Sequence, residues 1–169
     1  MTEVDFYVVD AADEDAVLRT ACRVAQKAWG QGLRVYILAD TDENAARMDD
    51  LLWTFQQDSF VPHERWHGVG ASNAIDEPLG SDPADIVSQF STESAGHAQP
   101  MARVLIGTTT QLPTMPELLI NLGAAMPEWF AQCPRVAEIV GATPHRKTAG
   151  RERYRVYREQ GVPLRTHEV

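Results

Sequence analysis

The sequence predicts an α/β fold, a three-layer α/β/α arrangement around a central, mainly parallel sheet of about five strands. Three observations carry that prediction. Apolar runs of strand length recur at Val4 to Val9, Leu33 to Ala39, Ala102 to Gly107, Glu117 to Leu122 and Val136 to Val140. Segments with apolar residues at helical spacing follow the first two runs, as in β-α units. The 169 residues, 44% of them hydrophobic, suffice for one real core, so residues 1–169 are read as a single globular domain.

The elements follow in order. After the strand Val4 to Val9, the helix Asp13 to Trp29 places Ala16/Val17, Val24/Ala25 and Ala28 on one side and ends near Gly30 and Gly32. After the strand Leu33 to Ala39, Thr41-Asp42 caps a helix in which Ala45, Met48, Leu51/Leu52 and Phe55 recur every three to four positions. From Gly68 to Met101 the composition turns to Gly, Pro, Ser, Asp and His, which reads as a long loop insertion (68–101). The strands Ala102 to Gly107 and Glu117 to Leu122 are joined by too few residues for a crossover helix. They are therefore antiparallel or not adjacent, and a mixed sheet stays open. Pro127 opens a short helix to Cys133, Val136 to Val140 is the next strand, and Thr143-Pro144 caps a helix running to Gly161.

Composition narrows the function. The net charge is -9, against a surface that binds nucleic acid over its whole extent. The charge is uneven: residues 1–140 hold 8 Lys/Arg against 21 Asp/Glu, and residues 141–169 hold 7 against 3. No 18-residue apolar run or signal-like start is present, and the two cysteines, Cys22 and Cys133, form no framework. A reduced cytoplasm without membrane contact is expected.

Motifs for catalysis are weak. There is no G-x-x-x-x-G-K-[ST], Gly30-x-Gly32 precedes a strand instead of following one, and Gly68-x-Gly70 lies in the loop, so no nucleotide cofactor is expected. No G-x-S-x-G elbow occurs, and Ser59, Cys22 and Cys133 lack a neighbouring base in sequence. The acidic runs Asp13-Glu14-Asp15 and Asp49-Asp50 read as solvated charge, the first beside a helix N-terminus. His63-Glu64-Arg65-Trp66-His67 matches the H-E-x-x-H pattern of zinc peptidases, with His97 or His145 open as a third ligand. That chemistry needs both histidines on one face of a helix, and Pro62, Gly68 and Gly70 crowd the segment. A zinc-dependent hydrolase is the alternative function; an exposed polar loop is the plainer reading.

The last helix stands apart. At 100 degrees per residue Arg151, Tyr154, Arg155 and Arg158 share one face, while Ala149, Val156 and Tyr157 turn toward the other, core-facing side. Guanidinium groups pair with carboxylates or phosphates, and tyrosine adds an apolar wall. A solvated face, a nucleic-acid contact and a peptide carboxylate site all fit this stripe.

Several segments together resemble the chi subunit of bacterial DNA polymerase III. They are Asp5-Phe6-Tyr7, Leu51-Leu52-Trp53, Ser59-Phe60-Val61-Pro62-His63 and Arg151-Glu152-Arg153-Tyr154-Arg155-Val156-Tyr157-Arg158, with Glu117 to Leu164 following the same pattern. The stretch from Gly68 to Met101 departs from it by its length. The resemblance implies a non-catalytic, clamp-loader-associated accessory subunit. One surface would bind the psi subunit, and another the acidic C-terminal tail of single-stranded-DNA-binding protein, so that contact with DNA is indirect. It maps the tail site to Val140, Lys147, Arg151, Tyr154, Arg155, Leu164 and Thr166, and the psi interface to Trp53, Phe60, Pro62 and His63. Arg155 stands where the family pattern has a lysine, keeping the charge and changing the donor geometry. Neither metal nor cofactor is implied.

Overall fold

A computed structural model describes residues 2–10, 13–55, 61–68, 103–122 and 126–169. Within them the elements are β1 (Glu3–Val8), α1 (Glu14–Gly30), β2 (Val35–Leu38), α2 (Asp42–Thr54), β3 (His63–Arg65), β4 (Val104–Gly107), β5 (Leu118–Asn121), a 3-10 turn (Phe130–Gln132), β6 (Arg135–Val140), α3 (Pro144–Glu159) and β7 (Leu164–Glu168). The described strands form one sheet in the order β3-β4-β2-β5-β6-β1-β7, and every pairing is parallel.

A parallel sheet covered on both faces needs apolar side chains pointing both ways, and β2 supplies them in alternation. Val35 and Ile37 join the core under α1 and α2, whereas Tyr36 and Leu38 join the core under α3. β4 and β5 divide likewise, with Val104, Ile106, Leu118 and Ile120 on the first side and Leu105 and Leu119 on the second. Helix α1 fits its layer because Val17, Leu18, Ala21, Cys22, Ala25 and Ala28 form one buried stripe. Thr41 and Thr143 cap their helices as the sequence predicts, and Asp13 proves to be the cap of α1 instead of its first residue; each side chain accepts a bond from a backbone N–H of the first turn.

Two expectations are corrected, the number of strands and the short helix opened by Pro127. The sheet has seven described strands instead of about five because β3 and β7, at its edges, carry mostly polar residues and therefore resemble loops in sequence. Of the two arrangements the sequence left open for β4 and β5, non-adjacency holds: both are parallel to β2, which lies between them, and the described strands form no mixed sheet. Their link returns as extended chain instead of helix. It crosses the second face, where Leu112 packs on the core and the Trp66 and Trp129 indoles donate to the carbonyls of Gln111 and Thr110, both at 2.7 Å. Pro127 to Cys133 forms only a turn around Phe130–Gln132. Of the loop assigned to 68–101, only Gly68 lies among the described residues. At Gly107 a Cβ would stand 2.4 Å from the Trp66 carbonyl oxygen, so β3 and β4 close there only over glycine.

Candidate functional site

Helix α3 reaches the sheet through Tyr157, as its hydrophobic wheel predicts, and through two arginines that the same wheel would assign to solvent. Its buried positions are Arg146, Gly150, Arg153 and Tyr157, which recur at three- to four-residue spacing. Gly150 brings the helix close to β6, because a Cβ there would sit 3.0 Å from both methyl groups of Val140. Arg153 donates through Nε to Oε2 of Glu138 at 2.7 Å, and Glu138 is fully buried in the middle of β6. The other oxygen of Glu138 accepts from the Tyr157 hydroxyl at 2.7 Å and from Asn121 Nδ2 at 3.3 Å. Burial pushes the Glu138 carboxyl above the usual carboxylate range, with the Arg153 guanidinium pulling against it. Burial and the adjacent Glu138 push the Tyr157 hydroxyl far up, which keeps it a donor.

Arg146, in the first turn of α3, ties the helix to the opposite layer. It pairs with both oxygens of Glu14 at the start of α1 and donates to the Leu122 carbonyl at 2.8 Å. Asp40 lies 3.8 Å away, and Asn44 donates to Asp40 at 2.8 Å and to Glu14 at 3.3 Å. Glu14 is therefore part of an interlayer clamp and not merely solvated charge at a helix start. A polar cavity of about 240 Å³ beside this clamp is lined by Glu14, Asp40, Arg146 and Arg153, among others.

The opposite face of α3 is open. Lys147, Arg151, Tyr154, Arg155 and Arg158 are exposed, and their spacing keeps them on one stripe. The Tyr154 ring meets Phe6 of β1 edge-on, with centroids 5.2 Å apart, and Phe6 in turn meets Tyr157. Leu164 packs on the same core as Phe6 and Val140, and β7 register sets Leu164 beside Val4 and Thr166 beside Phe6. Arg155 makes a solvent-exposed pair with Glu159 at 3.2 Å, too exposed to hold it in place. The seven residues Val140, Lys147, Arg151, Tyr154, Arg155, Leu164 and Thr166 thus gather on α3 and the sheet margin beneath it. Val140 lies under Gly150, and the others line the surface. Phe6, absent from the sequence-based set, provides the apolar floor. Alternation sets Phe6 on the face opposite Asp5 and Tyr7, but which face α3 covers is given only by the register of β1 with its neighbours.

A second patch lies on the far side, where α2 meets β3. Trp53 is half exposed, and its ring lies over His63 with centroids 4.6 Å apart. The His63 ring is buried, with Nδ1 bonded to the Val61 carbonyl at 2.7 Å and Nε2 facing the carbonyl and carboxylate of Asp49 at 3.0 and 2.8 Å. Pro62 is partly buried beside it. Phe60 lies outside the described residues. His63 and Glu64 are on a strand, not a helix, so the H-E-x-x-H spacing does not bring the two histidines together. Both nitrogens of His63 are engaged by protein atoms. The geometry needed for the zinc reading is absent here, and no group of three potential metal ligands occurs among the described residues.

The family model for "DNA polymerase III chi subunit, HolC" matches residues 1–165. The chain belongs to the DNA polymerase III chi subunit family. Among curated relatives, the DNA polymerase III subunit chi of Pseudomonas aeruginosa is 34% identical over 169 residues, covering 100% of this chain and 98% of that protein. The subunit of the same name from Escherichia coli K12 is 27% identical, with 98% and 97% covered, and that of Haemophilus influenzae is 25% identical, with 97% and 95% covered. Among solved structures, "S. cerevisiae dbp5 l327v bound to nup159, gle1 h337r, ip6 and adp" matches with a TM-score of 0.52 at 12% identity. It covers 98% of this chain but only 41% of that one, and the likeness is one of fold. Family membership accounts for the segments that carried the resemblance, Asp5-Phe6-Tyr7 and Arg151 to Arg158 among them. In this structure those two segments pack together, since Phe6 touches both Tyr154 and Tyr157.

Both cysteines are free and buried; burial pushes the Cys22 thiol up to about 12 and the Cys133 thiol up to about 11. Neither is poised as a nucleophile. Among the described residues no helix is long and apolar enough to cross a membrane.

Proposed function

We propose that this chain is a non-catalytic accessory subunit of the bacterial DNA polymerase III holoenzyme, acting in the cytoplasm. It links the psi subunit, and through psi the clamp loader, to the acidic C-terminal tail of single-stranded-DNA-binding protein. The observation that carries this reading is the open face of α3. Lys147, Arg151, Arg155 and Arg158 supply cations on the same face as Tyr154, which packs on Phe6 beside the partly buried Leu164, the pairing of charge and apolar surface that a peptide ending in an aromatic residue and its carboxylate requires. The surrounding molecule is acidic, which disfavours a duplex and leaves DNA contact indirect. The Trp53, Pro62 and His63 patch, with Phe60 close in sequence, is the surface proposed for psi. A half-exposed tryptophan braced by a buried histidine suits an interface anchor.

Titration of a synthetic peptide of acidic residues ending in Pro-Phe tests the tail site. Binding is expected to weaken as salt rises and to fall at least about tenfold when the terminal carboxylate is amidated. Equal affinity of the acid and the amide would remove the site assignment. In sedimentation, psi and the peptide should bind together, and Trp53→Ala should release psi while leaving peptide affinity unchanged.

A further inference from the structure

Strand β7 forms one edge of the sheet, and its outer side has no partner among the described strands. In a parallel pair, alternate residues turn their backbone N–H and C=O toward the neighbour and the residues between turn theirs away. Two bonds set the phase here. Val4 N–H donates to the Pro163 carbonyl, and Val169 N–H donates to the Val8 carbonyl, both at 3.0 Å. With Val4 opposite Leu164 and Val8 opposite Glu168, positions 163, 165, 167 and 169 bond to β1. The N–H and C=O groups of Leu164, Thr166 and Glu168 therefore point outward. By the same register these residues share the face of Val4 and Phe6, beneath α3.

The free edge thus begins at the proposed tail site. Edge strands are commonly blunted against self-pairing by charge, and Arg165, His167 and Glu168 serve that role here. The exposed balance is nevertheless basic: with Arg146 and Arg153 buried against Glu14 and Glu138, residues 141–169 still expose Lys147, Arg151, Arg155, Arg158 and Arg165 against Glu152, Glu159 and Glu168. A strand added at this edge would lie on the side of the sheet that carries the α3 stripe, whose exposed cations favour an acidic strand.

We infer that the acidic peptide binds as an additional β-strand on the outer edge of β7, its backbone bonded to Leu164, Thr166 and Glu168, with its terminal aromatic anchored at Tyr154 and Phe6. This rests on the tail-binding reading above and adds the mode of binding. The occupant is the stretch of tail preceding the Pro-Phe terminus, about five residues at about 3.3 Å each, matching β7. Backbone pairing contributes affinity largely independent of side-chain identity, so the acidic stretch needs charge and extension more than a fixed sequence.

Amide hydrogen exchange by NMR on the full chain, with a synthetic peptide of about eight acidic and polar residues ending in Pro-Phe, reads these bonds directly. In the free protein the amides of Leu164, Thr166 and Glu168 should exchange readily, and those of Arg165 and His167 slowly. Peptide should slow the first three by about tenfold or more and leave the other two unchanged. N-methylation walked along the peptide upstream of its proline leaves charge and side chains intact. It should weaken binding by about tenfold at every second amide. If the peptide binds with dependence on Arg151, yet the three amides keep their free rates and the N-methyl scan shows no alternation, strand pairing is overturned and the tail site stands. If no Arg151-dependent binding occurs, both fall. Concentration-dependent protection of the same amides without peptide would instead assign the edge to a second copy of this chain, and would also overturn the inference.

Discussion

Arg151 and Arg153 are two residues apart on the same helix, yet they occupy opposite chemical worlds. Arg153 is buried and bonded to a fully buried carboxylate, in company with Tyr157 and Asn121. Arg151 faces solvent in line with Lys147, Tyr154 and Arg155. A helix rich in arginine can thus serve as a core element on one side and as a recognition surface on the other. Which role a cation takes depends on whether the fold has already supplied its counter-charge. On the buried side Glu138 and Glu14 satisfy Arg153 and Arg146 from within. On the open side Arg155 has only the exposed Glu159 as an ion-pair partner among the described residues, a contact too solvated to neutralise the stripe.

The comparison breaks most severely if the buried arginine is removed. Arg153→Ala would strand Glu138 in the core with only neutral donors, and is expected to cost about 3–5 kcal/mol in urea unfolding. A double replacement, Arg153→Met with Glu138→Leu, should recover most of that loss, because a buried pair exchanged for apolar packing is often neutral or better. An Arg153→Ala variant as stable as the parent would place this arginine among the solvated residues.

Alkaline titration gives a smaller effect, read from buried groups on both faces of the sheet. Tyr157, Cys22 and Cys133 all have folded pKa values raised by burial, so their contribution is complete below the unfolded values and is lost as pH rises. The unfolded thiols ionise near 9.0 and the tyrosine near 10.0, whereas the folded thiols hold their protons to about 12 and about 11. The folded chain then binds more protons than the unfolded one, and stability should fall from pH 9 upward by at most about 1.4 kcal/mol per pH unit for each group. Tyr157→Phe should flatten the slope above pH 10. An unchanged slope would mean that this hydroxyl is not protected by burial.

The smallest effect is expected for Arg155→Lys on the open side. Stability should change by less than about 0.5 kcal/mol, and peptide affinity by no more than a few-fold, because charge is retained and only the guanidinium fork is lost. A loss as large as that from carboxylate amidation would show that Arg155 grips its ligand through both arms of the fork.

The open side of α3 was largely legible in the sequence and the buried side was not. Thr143-Pro144 marked the helix start, and 3.6-residue periodicity put Arg151, Tyr154, Arg155 and Arg158 together. The same wheel gave the core side to Ala149, Val156 and Tyr157, but Ala149 and Val156 are only partly buried while Arg146 and Arg153 are buried. A hydrophobic periodicity has no place for a cation whose counter-ion is in the core. The clue lay in another element: Glu138 interrupts the apolar run Val136 to Val140 of a strand covered on both sides, and such a carboxylate requires a buried cation. Phe6 could be placed on the α3 face only after the register with β6 and β7 was known. The edge strands escaped because His63-Glu64-Arg65 and Leu164 to Glu168 carry polar residues suited to an edge, and such residues are equally common in loops.

The division of α3 into a structural and a recognition face meets its most direct test in the affinity of Arg151→Ala for the acidic Pro-Phe peptide, measured by calorimetry where its unfolding midpoint equals that of the parent. The expected result is a loss of at least about tenfold, since a charge-assisted bond to the carboxylate disappears while the fold is untouched. Parental affinity in a stable Arg151→Ala variant would contradict the assignment and return the stripe to the status of a solvated face.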